Sequence, residues 1–334
     1  MKASDVYIFL ILCVICLAVF LRPFEKKPEE ISNALLQILR YRNSELEGLH
    51  ISQNKYSSVP SKVFTFWNTD EIPELCKLSI SLLQSKLHQS GEDWKVYFLT
   101  PSNLDKFLPG SLNFMKIMVG AGLRIALFSD WLRWSLLLRY GGVWIDSTTI
   151  INDVGLLSKW RHVLQAGKKQ LFAIRNEKHY NNGDNPVYES WLLISPPSSP
   201  LVAATLSEIE KALVMGPRSY CIQANVSVTV RLRLPGSYWA SYYALISALH
   251  KFKIDSNIDA YSIVASESSQ EFGLQLQSKY GYGSSKLVRH LLDSSFLDEK
   301  LIKLTHWDRA ALKNHEDEFL NMLMSMHTPI KAIL

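Results

Sequence analysis

Two acids and an arginine, Asp130, Arg133 and Asp146, fall within seventeen residues and are the side chains of this sequence best suited to chemistry. Carboxylates accept hydrogen bonds and bind cations, and a guanidinium donates to oxygen atoms of hydroxyl or phosphate groups. The three could therefore hold a polar or charged ligand together. The structural alternative is an ion pair followed by a strand that happens to end in Asp.

The segment 123–140 predicts a buried helix, because it is apolar on nearly every turn and contains neither Pro nor Gly after its start. Asp130 and Arg133 are three residues apart and share one face of that helix. A lone ion among apolar neighbours is costly, whereas a paired or ligand-bound one is tolerated. The other residues of that face are apolar: Ala126, Leu127, Trp134 and Leu137.

Asp146 follows a short strand that the sequence predicts to be buried. Gly141 and Gly142 allow a sharp reversal after the helix, and Val143-Trp144-Ile145 is apolar throughout. In open α/β sheets, ligands bind at the carboxyl ends of the strands. The sequence therefore predicts Asp146 at a ligand site, followed by the hydroxyl side chains of Ser147, Thr148 and Thr149.

The segments before this helix alternate between strand and helix patterns. Residues 62–67 predict a strand, 74–88 a helix and 94–99 a second strand, which together indicate a parallel sheet of the nucleotide-binding type. Further strands are predicted at 171–174 and 189–195. Phe66 and Trp67 close the first strand, where they either stack on a base or belong to the core.

The pattern Ser-Asp-x-x-Arg, then Leu-Leu-x-x-Tyr-Gly-Gly-Val-Trp-Ile-Asp-Ser-Thr, resembles the signature of the capsular polysaccharide synthesis glycosyltransferases. That family is related to the DXD-containing sugar transferases, among them fungal initiating mannosyltransferases and clostridial glucosylating toxins. The resemblance implies a GT-A-like nucleotide-sugar-binding fold, α/β with a mixed, mainly parallel sheet, over residues 58–310. It also implies transfer of a sugar from a nucleotide-diphosphate donor to a glycan or other hydroxyl acceptor.

The resemblance also implies roles for individual residues on the donor side. Asp130 and Arg133 would hold the donor sugar, and Asp146 the ribose or a divalent metal that bridges the diphosphate. Thr148 stands where many relatives have a second Asp, so weaker binding of Mn²⁺ or Mg²⁺ is predicted. A Lys-Leu-Thr-His segment, similar to one near the family's C-terminus, makes Lys303 a diphosphate contact and His306 a metal ligand.

On the acceptor side, the strand with Glu189 and Trp191 is similar to a Trp-containing strand that family members carry near the acceptor. Glu189 is either an acceptor-binding acid or base, or a charge on an edge strand. The aromatic pair Phe66 and Trp67 also has a counterpart in the family, before a loop that contains Pro.

The alternative is a protein of the same fold that has lost catalysis. Such a protein would bind a glycan or stabilise a partner enzyme.

Residues 6–21 are sixteen consecutive apolar residues, about 24 Å long as a helix, without a good cleavage site. They predict a single transmembrane signal-anchor after a short tail (1–5), followed by a stem (22–57). Residues 311–334 predict a C-terminal helix. A transferase with one anchor implies a Golgi type II protein in a eukaryote, whereas the basic residues after the anchor favour a cytoplasmic domain. The glycosylation sequon Asn-Val-Ser at Asn225 is informative only if the domain is lumenal.

Composition excludes some classes of partner. The net charge of +5 is dispersed and no block of like charges occurs, so no nucleic-acid-binding tract is indicated. Two of the four cysteines lie in the apolar N-terminal segment. The others, Cys76 and Cys221, are too few and too far apart for a disulfide framework or a zinc site. They could form one bridge in an oxidising lumen, but two buried thiols are expected.

Overall fold

The computed structural model describes residues 58–325, except 177–186, 228–229, 231, 233, 235, 257–259, 294–295 and 297. The predicted tail, membrane anchor and stem lie outside these described residues. Within them, no helix is both long enough and apolar enough to cross a bilayer. Cys76 and Cys221 are both buried and form no disulfide with each other, as expected.

Strands and helices alternate along most of the described chain. The strands are β1 Lys62–Phe66, β2 Lys95–Leu99, β3 Gly142–Ile145, β4 Thr149–Ile151, β5 Leu171–Arg175, β6 Tyr188–Ser195, β7 Val264–Ser268 and β8 Leu301–Lys303. The helices are α1 Glu74–Gln89, α2 Leu104–Phe107, α3 Ser111–Gly120, α4 Ile125–Tyr140, α5 Gly155–Ala166, α6 Pro200–Met215, α7 Pro217–Gln223, α8 Ala240–Ser256, α9 Ala260–Ile263, α10 Gln275–Tyr280, α11 Ser285–Leu292, α12 His306–Leu312 and α13 Glu316–Ser325.

The main sheet has six strands in the order β2-β1-β3-β6-β5-β7. Strand β1 is parallel to β2 and β3, and β5 is parallel to β7. Strand β6 runs antiparallel to both of its neighbours, β3 and β5. The prediction of an α/β fold with a mixed, mainly parallel sheet is therefore confirmed. The interpretation of Glu189 as a charge on an edge strand is wrong, because β6 lies inside the sheet.

Alternate residues of each strand point to opposite sides of the main sheet, and helices pack on both of its faces. On one face Phe64, Trp144 and Leu193 join the core formed with α4, α6 and α8. On the other face Val63 and Val143 belong to a second core with α1 and α5. The central strands are thus buried on both sides, which is why their sequences are continuously apolar.

The Gly141-Gly142 pair is required by two close contacts as well as by backbone conformation. Both residues have positive φ, 62° and 96°. A Cβ at Gly141 would lie 2.5 Å from the Pro197 ring, and one at Gly142 would lie 2.5 Å from the carbonyl oxygen of Lys62. No other residue type fits this link between α4 and β3 without displacing β1 or the turn after β6.

A second, two-stranded sheet pairs β4 with β8 in antiparallel register, with Thr149 opposite Lys303. It belongs to a separate hydrophobic cluster that includes Ile150, Ile302 and side chains from α1 and the C-terminal helices. The segment predicted as one C-terminal helix contains the end of α12, a 3₁₀ turn and α13. Helix α13 buries Phe319 and Leu323 in this cluster, so it is part of the folded domain.

Candidate active site

A cavity of about 800 Å³ opens at the carboxyl ends of β1 and β3, beside the start of β6. Its volume is in the usual range for sites that hold a small organic ligand. Every candidate residue from the sequence contributes to its lining, although the roles assigned to them stay predictions. They are Phe66, Trp67, Asp130, Arg133, Asp146, Thr148, Glu189, Trp191, Lys303 and His306.

Arg133 lines the cavity and is only 6% exposed. Its guanidinium is 3.5 Å from a carboxylate oxygen of Asp130 and 3.5 Å from one of Asp146. It also donates to the Ser190 hydroxyl at 2.7 Å and to the Ser129 backbone carbonyl at 3.2 Å. The planar guanidinium therefore joins α4 to the end of β3 and the start of β6, with its orientation fixed.

Asp130 is 8% exposed, and burial raises its pKa to about 6 although Arg133 counteracts the shift. The nearby Asp146 raises the pKa further, because two negative charges repel each other. A carboxyl group with a pKa near neutrality is typical of functional sites as well as of buried ion pairs. Asp130 is ionised at pH 7.5 and can accept hydrogen bonds from a ligand's hydroxyl groups.

Asp146 follows β3 and is held by groups from three elements. Its backbone N–H donates to the Trp191 carbonyl at 2.9 Å, and one carboxylate oxygen accepts from the Trp144 indole at 3.0 Å. The other oxygen accepts from Lys303 Nζ at 2.8 Å. Burial alone would raise the pKa of Asp146, but the positive charges of Lys303 and Arg133 outweigh it and lower the pKa.

Lys303 ends β8 and is 9% exposed. Besides its contact with Asp146, its ammonium donates to the Thr148 hydroxyl at 3.1 Å. Thr148 in turn donates to the Leu304 carbonyl at 2.9 Å. Burial lowers the pKa of Lys303, and the carboxylate of Asp146 counteracts this. The sheet formed by β4 and β8 thus brings a cation into direct contact with the strand-end acid.

Glu189 faces the cavity from β6 and is 5% exposed. It accepts hydrogen bonds from the Tyr242 hydroxyl at 2.7 Å and from the Asn176 amide. Burial raises the pKa of Glu189 although both of these hydrogen bonds counteract the shift. Trp191, two residues further along β6, is 5% exposed and packs closely against Gly273, so most of its ring belongs to the core.

The two aromatic residues at the end of β1, Phe66 and Trp67, differ in burial. Phe66 is 7% exposed and its ring centroid lies 5.6 Å from that of Phe128 in α4. Trp67 is half-buried and its ring lies 5.9 Å from the Arg309 guanidinium of α12. Trp67 is therefore the more accessible of the two for stacking on a planar ligand.

The residues predicted to hold a divalent metal fit that role poorly. Both carboxylate oxygens of Asp146 already face positively charged or N–H donors, and the Thr148 hydroxyl accepts from Lys303. His306 is exposed on the first turn of α12. Across the described part of the chain, no cluster of three or more His, Cys, Asp or Glu side chains is arranged to hold a metal ion. Mn²⁺ and Mg²⁺ prefer several oxygen ligands with excess negative charge.

Two polar residues of the cavity escaped the sequence analysis. Ser190 binds Arg133, and Arg309 adds a further cation near Lys303. Tyr242 belongs to the aromatic segment 235–252, which the sequence left open between sugar contact and core, and it binds Glu189. Ser190 lies in a strand that was already under consideration, next to Glu189. Nothing in the local pattern around Arg309 indicated its position, because α12 reaches the cavity only through tertiary packing.

The comparison with protein-family models agrees with the sequence resemblance. The family model described as "Capsular polysaccharide synthesis protein" matches residues 22–211, more than half of the chain. The match includes the segment 123–150 but not Lys303 or His306. The solved structure of the PaToxG glycosyltransferase is similar over 88% of this chain and 97% of its own, at 13% identity and a TM-score of 0.35. No curated protein matches the chain.

Proposed function

Because the chain belongs to the capsular polysaccharide synthesis family, we propose that it is a glycosyltransferase that uses a nucleotide-diphosphate sugar. The observation that carries the proposal is the convergence of Asp130, Arg133 and Asp146 in one cavity of about 800 Å³ at the carboxyl ends of β1 and β3. Acids and a fixed guanidinium suit a ligand that presents hydroxyl groups at one end and phosphates at the other.

On the donor side, Asp130 accepts hydrogen bonds from hydroxyl groups of the sugar, and Arg133 holds the sugar or a phosphate oxygen. Asp146 binds the ribose of the nucleotide, and Trp67 stacks on its base. The diphosphate then lies near Lys303, whose ammonium is 2.8 Å from Asp146. Positioning of this kind lowers the barrier, because the reacting groups need no further reorganisation.

In the transfer step, the bond between the anomeric carbon and the diphosphate oxygen breaks, and its electron pair stays on the nucleoside diphosphate. A hydroxyl oxygen of the acceptor forms the new bond to the anomeric carbon. Glu189 binds that hydroxyl and takes its proton, a role that suits a buried carboxylate with a raised pKa. Trp191, two residues further along the same strand, also lines the cavity but is only 5% exposed to an acceptor.

The test is hydrolysis of a panel of UDP- and GDP-sugars by the purified full-length chain, measured as released nucleoside diphosphate. Each donor is assayed once with Mn²⁺ and once with EDTA. We expect one donor to be hydrolysed, and an Arg133→Lys variant to lose about 10-fold or more of the activity. No hydrolysis of any donor under either condition, with nucleotide binding retained, would favour the alternative of a glycan-binding or partner-stabilising protein.

We also propose that residues 6–21 anchor the enzyme in a membrane. Asn225 of the Asn-Val-Ser sequon is exposed, so it reports on the side that the domain faces. A lumenal domain in a eukaryotic host would carry a glycan there, and an Asn225→Gln variant would migrate faster on a gel. Equal migration of the two forms would indicate a cytoplasmic domain.

A further inference from the structure

The Lys303 ammonium lies between positions 146 and 148, the two places that carry acids in a metal-binding Asp-x-Asp motif. Its nitrogen is 2.8 Å from an Asp146 carboxylate oxygen and 3.1 Å from the Thr148 hydroxyl. We propose that Lys303 takes the place of a divalent cation, so that the chain binds its nucleoside-diphosphate donor without a metal. This inference rests on the proposed function and concerns the same cavity.

The ammonium is held at this place by the backbone of a strand rather than by a mobile loop. The pairing of β4 with β8 sets Thr149 opposite Lys303, and the Leu304 amide donates to the Thr148 carbonyl at 3.0 Å. The Lys303 amide donates to the Gly273 carbonyl at 2.8 Å, and the Lys303 carbonyl accepts from the Gln277 amide at 2.7 Å. A cation fixed in this way needs no reorganisation when charge develops on a phosphate.

The balance of charge in the cavity also favours an anionic ligand over a bound cation. The basic side chains of Arg133, Lys303 and Arg309 line the cavity. Three acids line it as well, namely Asp130, Asp146 and Glu189. The basic side chains therefore equal the acids in number, even with all three acids ionised. A site for Mn²⁺ or Mg²⁺ requires a surplus of anionic oxygen ligands. This cavity has no such surplus, whereas a diphosphate would find cations on two sides.

Lys303 can supply the charge that a bridging metal would otherwise supply. When the anomeric carbon–oxygen bond breaks, the electron pair stays on the phosphate oxygen, and an ammonium next to that oxygen stabilises it. Lysine acts on phosphates as a point charge, so its site tolerates either diphosphate oxygen. Asp146 then has a positioning role toward Lys303 in addition to its contact with the nucleotide, because its carboxylate accepts from the ammonium at 2.8 Å and counteracts the effect of burial on the pKa of Lys303.

The first experiment is calorimetric binding of UDP and of GDP to the purified full-length chain, in EDTA and in Mn²⁺. We expect one nucleotide to bind with affinities that agree within about threefold between the two conditions. In EDTA, Lys303→Met should weaken that binding about 10-fold or more, because the substitution keeps the apolar stem and removes the charge. Lys300→Met is the matched control, since Lys300 is exposed three residues earlier, and its binding should equal wild type.

The second experiment needs no variant and measures metal binding directly. Mn²⁺ is titrated into the wild-type chain with UDP or GDP present, and free Mn²⁺ is followed by its electron paramagnetic resonance signal. We expect no more bound Mn²⁺ than the nucleotide alone accounts for. Stoichiometric Mn²⁺ on the protein, nucleotide binding that requires Mn²⁺, or unchanged binding by Lys303→Met would each overturn the inference while the proposed transferase stands. If neither nucleotide binds and no donor is hydrolysed under any condition, the transferase proposal itself fails.

Discussion

Two regions of the molecule deliver charge to the cavity by different routes. The first is the α4–β3 segment, which supplies Asp130, Arg133 and Asp146 from one short stretch of sequence. The second is the β4–β8 sheet, whose pairing brings Lys303 to Asp146 across 157 residues of chain. The first region sets its groups by helix periodicity and strand direction, and the second depends entirely on tertiary structure.

This difference shows how the negative charge of the buried Asp146 is compensated. The local motif alone would place two carboxylates and one guanidinium in a poorly hydrated pocket, which is an unfavourable excess of negative charge. Lys303, contributed by the second region, counteracts the effect of burial on Asp146 more than any other group does. The two regions therefore complete one electrostatic unit, and changes that separate them should affect ligand binding before they affect the main sheet.

The largest effect is expected where the two regions meet. Asp146→Asn keeps the shape of the side chain but removes the charge that both Lys303 and Arg133 contact. We expect donor hydrolysis to fall about 100-fold or more, with a far-ultraviolet circular dichroism spectrum like that of wild type. The matched control is Asp298→Asn at an exposed position. A hydrolysis rate for Asp146→Asn equal to that of wild type would show that Asp146 has no role in the site.

A substitution at Gly273 should separate the two regions mechanically. Gly273 forms a β-bridge with Ile302 and packs on Trp191, and a Cβ there would lie 2.3 Å from the indole ring. With φ at +83° as well, Gly273→Ala should lower the unfolding free energy by about 2–4 kcal/mol, measured by urea denaturation. Gly110→Ala has a similar φ of +79° but no atom within 4 Å, so only about 1 kcal/mol is expected. Equal losses in the two variants would show that the contact with Trp191 is unimportant.

Acidification should act mainly on the first region. Because the pKa of Asp130 is about 6, its ionised form declines below that pH, and donor hydrolysis at pH 5 should be about 10-fold lower than at pH 7.5. Stability changes in the opposite direction. The folded-state pKa lies above the ordinary aspartate pKa of 3.8, so this group's contribution to the unfolding free energy falls as pH rises from about 4 to about 6.

Asp130→Asn provides the check on this pH dependence. The variant should lose most of the slope of unfolding free energy between pH 4 and pH 6, measured by denaturant titration at each pH. Its residual hydrolysis should also no longer fall in step with protonation near pH 6. If the wild-type slope persists in Asp130→Asn, another buried acid such as Glu189 is responsible.

The smallest effect is expected at Thr148, which positions the cation of the second region. Thr148→Ala removes the hydroxyl that accepts from Lys303 and donates to the Leu304 carbonyl. We expect hydrolysis to fall about threefold and stability by about 1 kcal/mol, because Lys303 keeps its shorter contact with the Asp146 carboxylate. Thr148→Ser retains the hydroxyl and should resemble wild type in both measurements. A larger loss in Thr148→Ser than in Thr148→Ala would contradict this role.

The first region could be predicted from the sequence because its geometry is local. A helix places Asp130 and Arg133 on one face, and a buried parallel strand delivers Asp146 to the ligand edge of a sheet. The parallel pairing of β1 with β2 followed from the strand–helix–strand alternation in the same way. For Glu189 the strand itself was identified correctly, but its place inside the sheet depends on pairing with both β3 and β5.

The second region could not be predicted because no local pattern encodes it. Strands β4 and β8 have three residues each, too short for a periodicity signal, and they pair across most of the domain. Only the family resemblance drew attention to Lys303. The contact of Arg309 with Trp67 likewise depends on how α12 packs against the end of β1. The sequence therefore indicated Asp130, Arg133 and Asp146 better than it indicated Lys303 and Arg309.

The late position of β8 has a consequence for synthesis of the chain. The six strands of the main sheet are all encoded before residue 269, and helix α4 is complete long before that point. A nascent or prematurely terminated polypeptide that lacks residues 301–304 would have Asp146 without its lysine counterion. The proposed binding of a nucleotide sugar would thus become possible only after Lys303 has been translated, when all strands of the main sheet have already been synthesised.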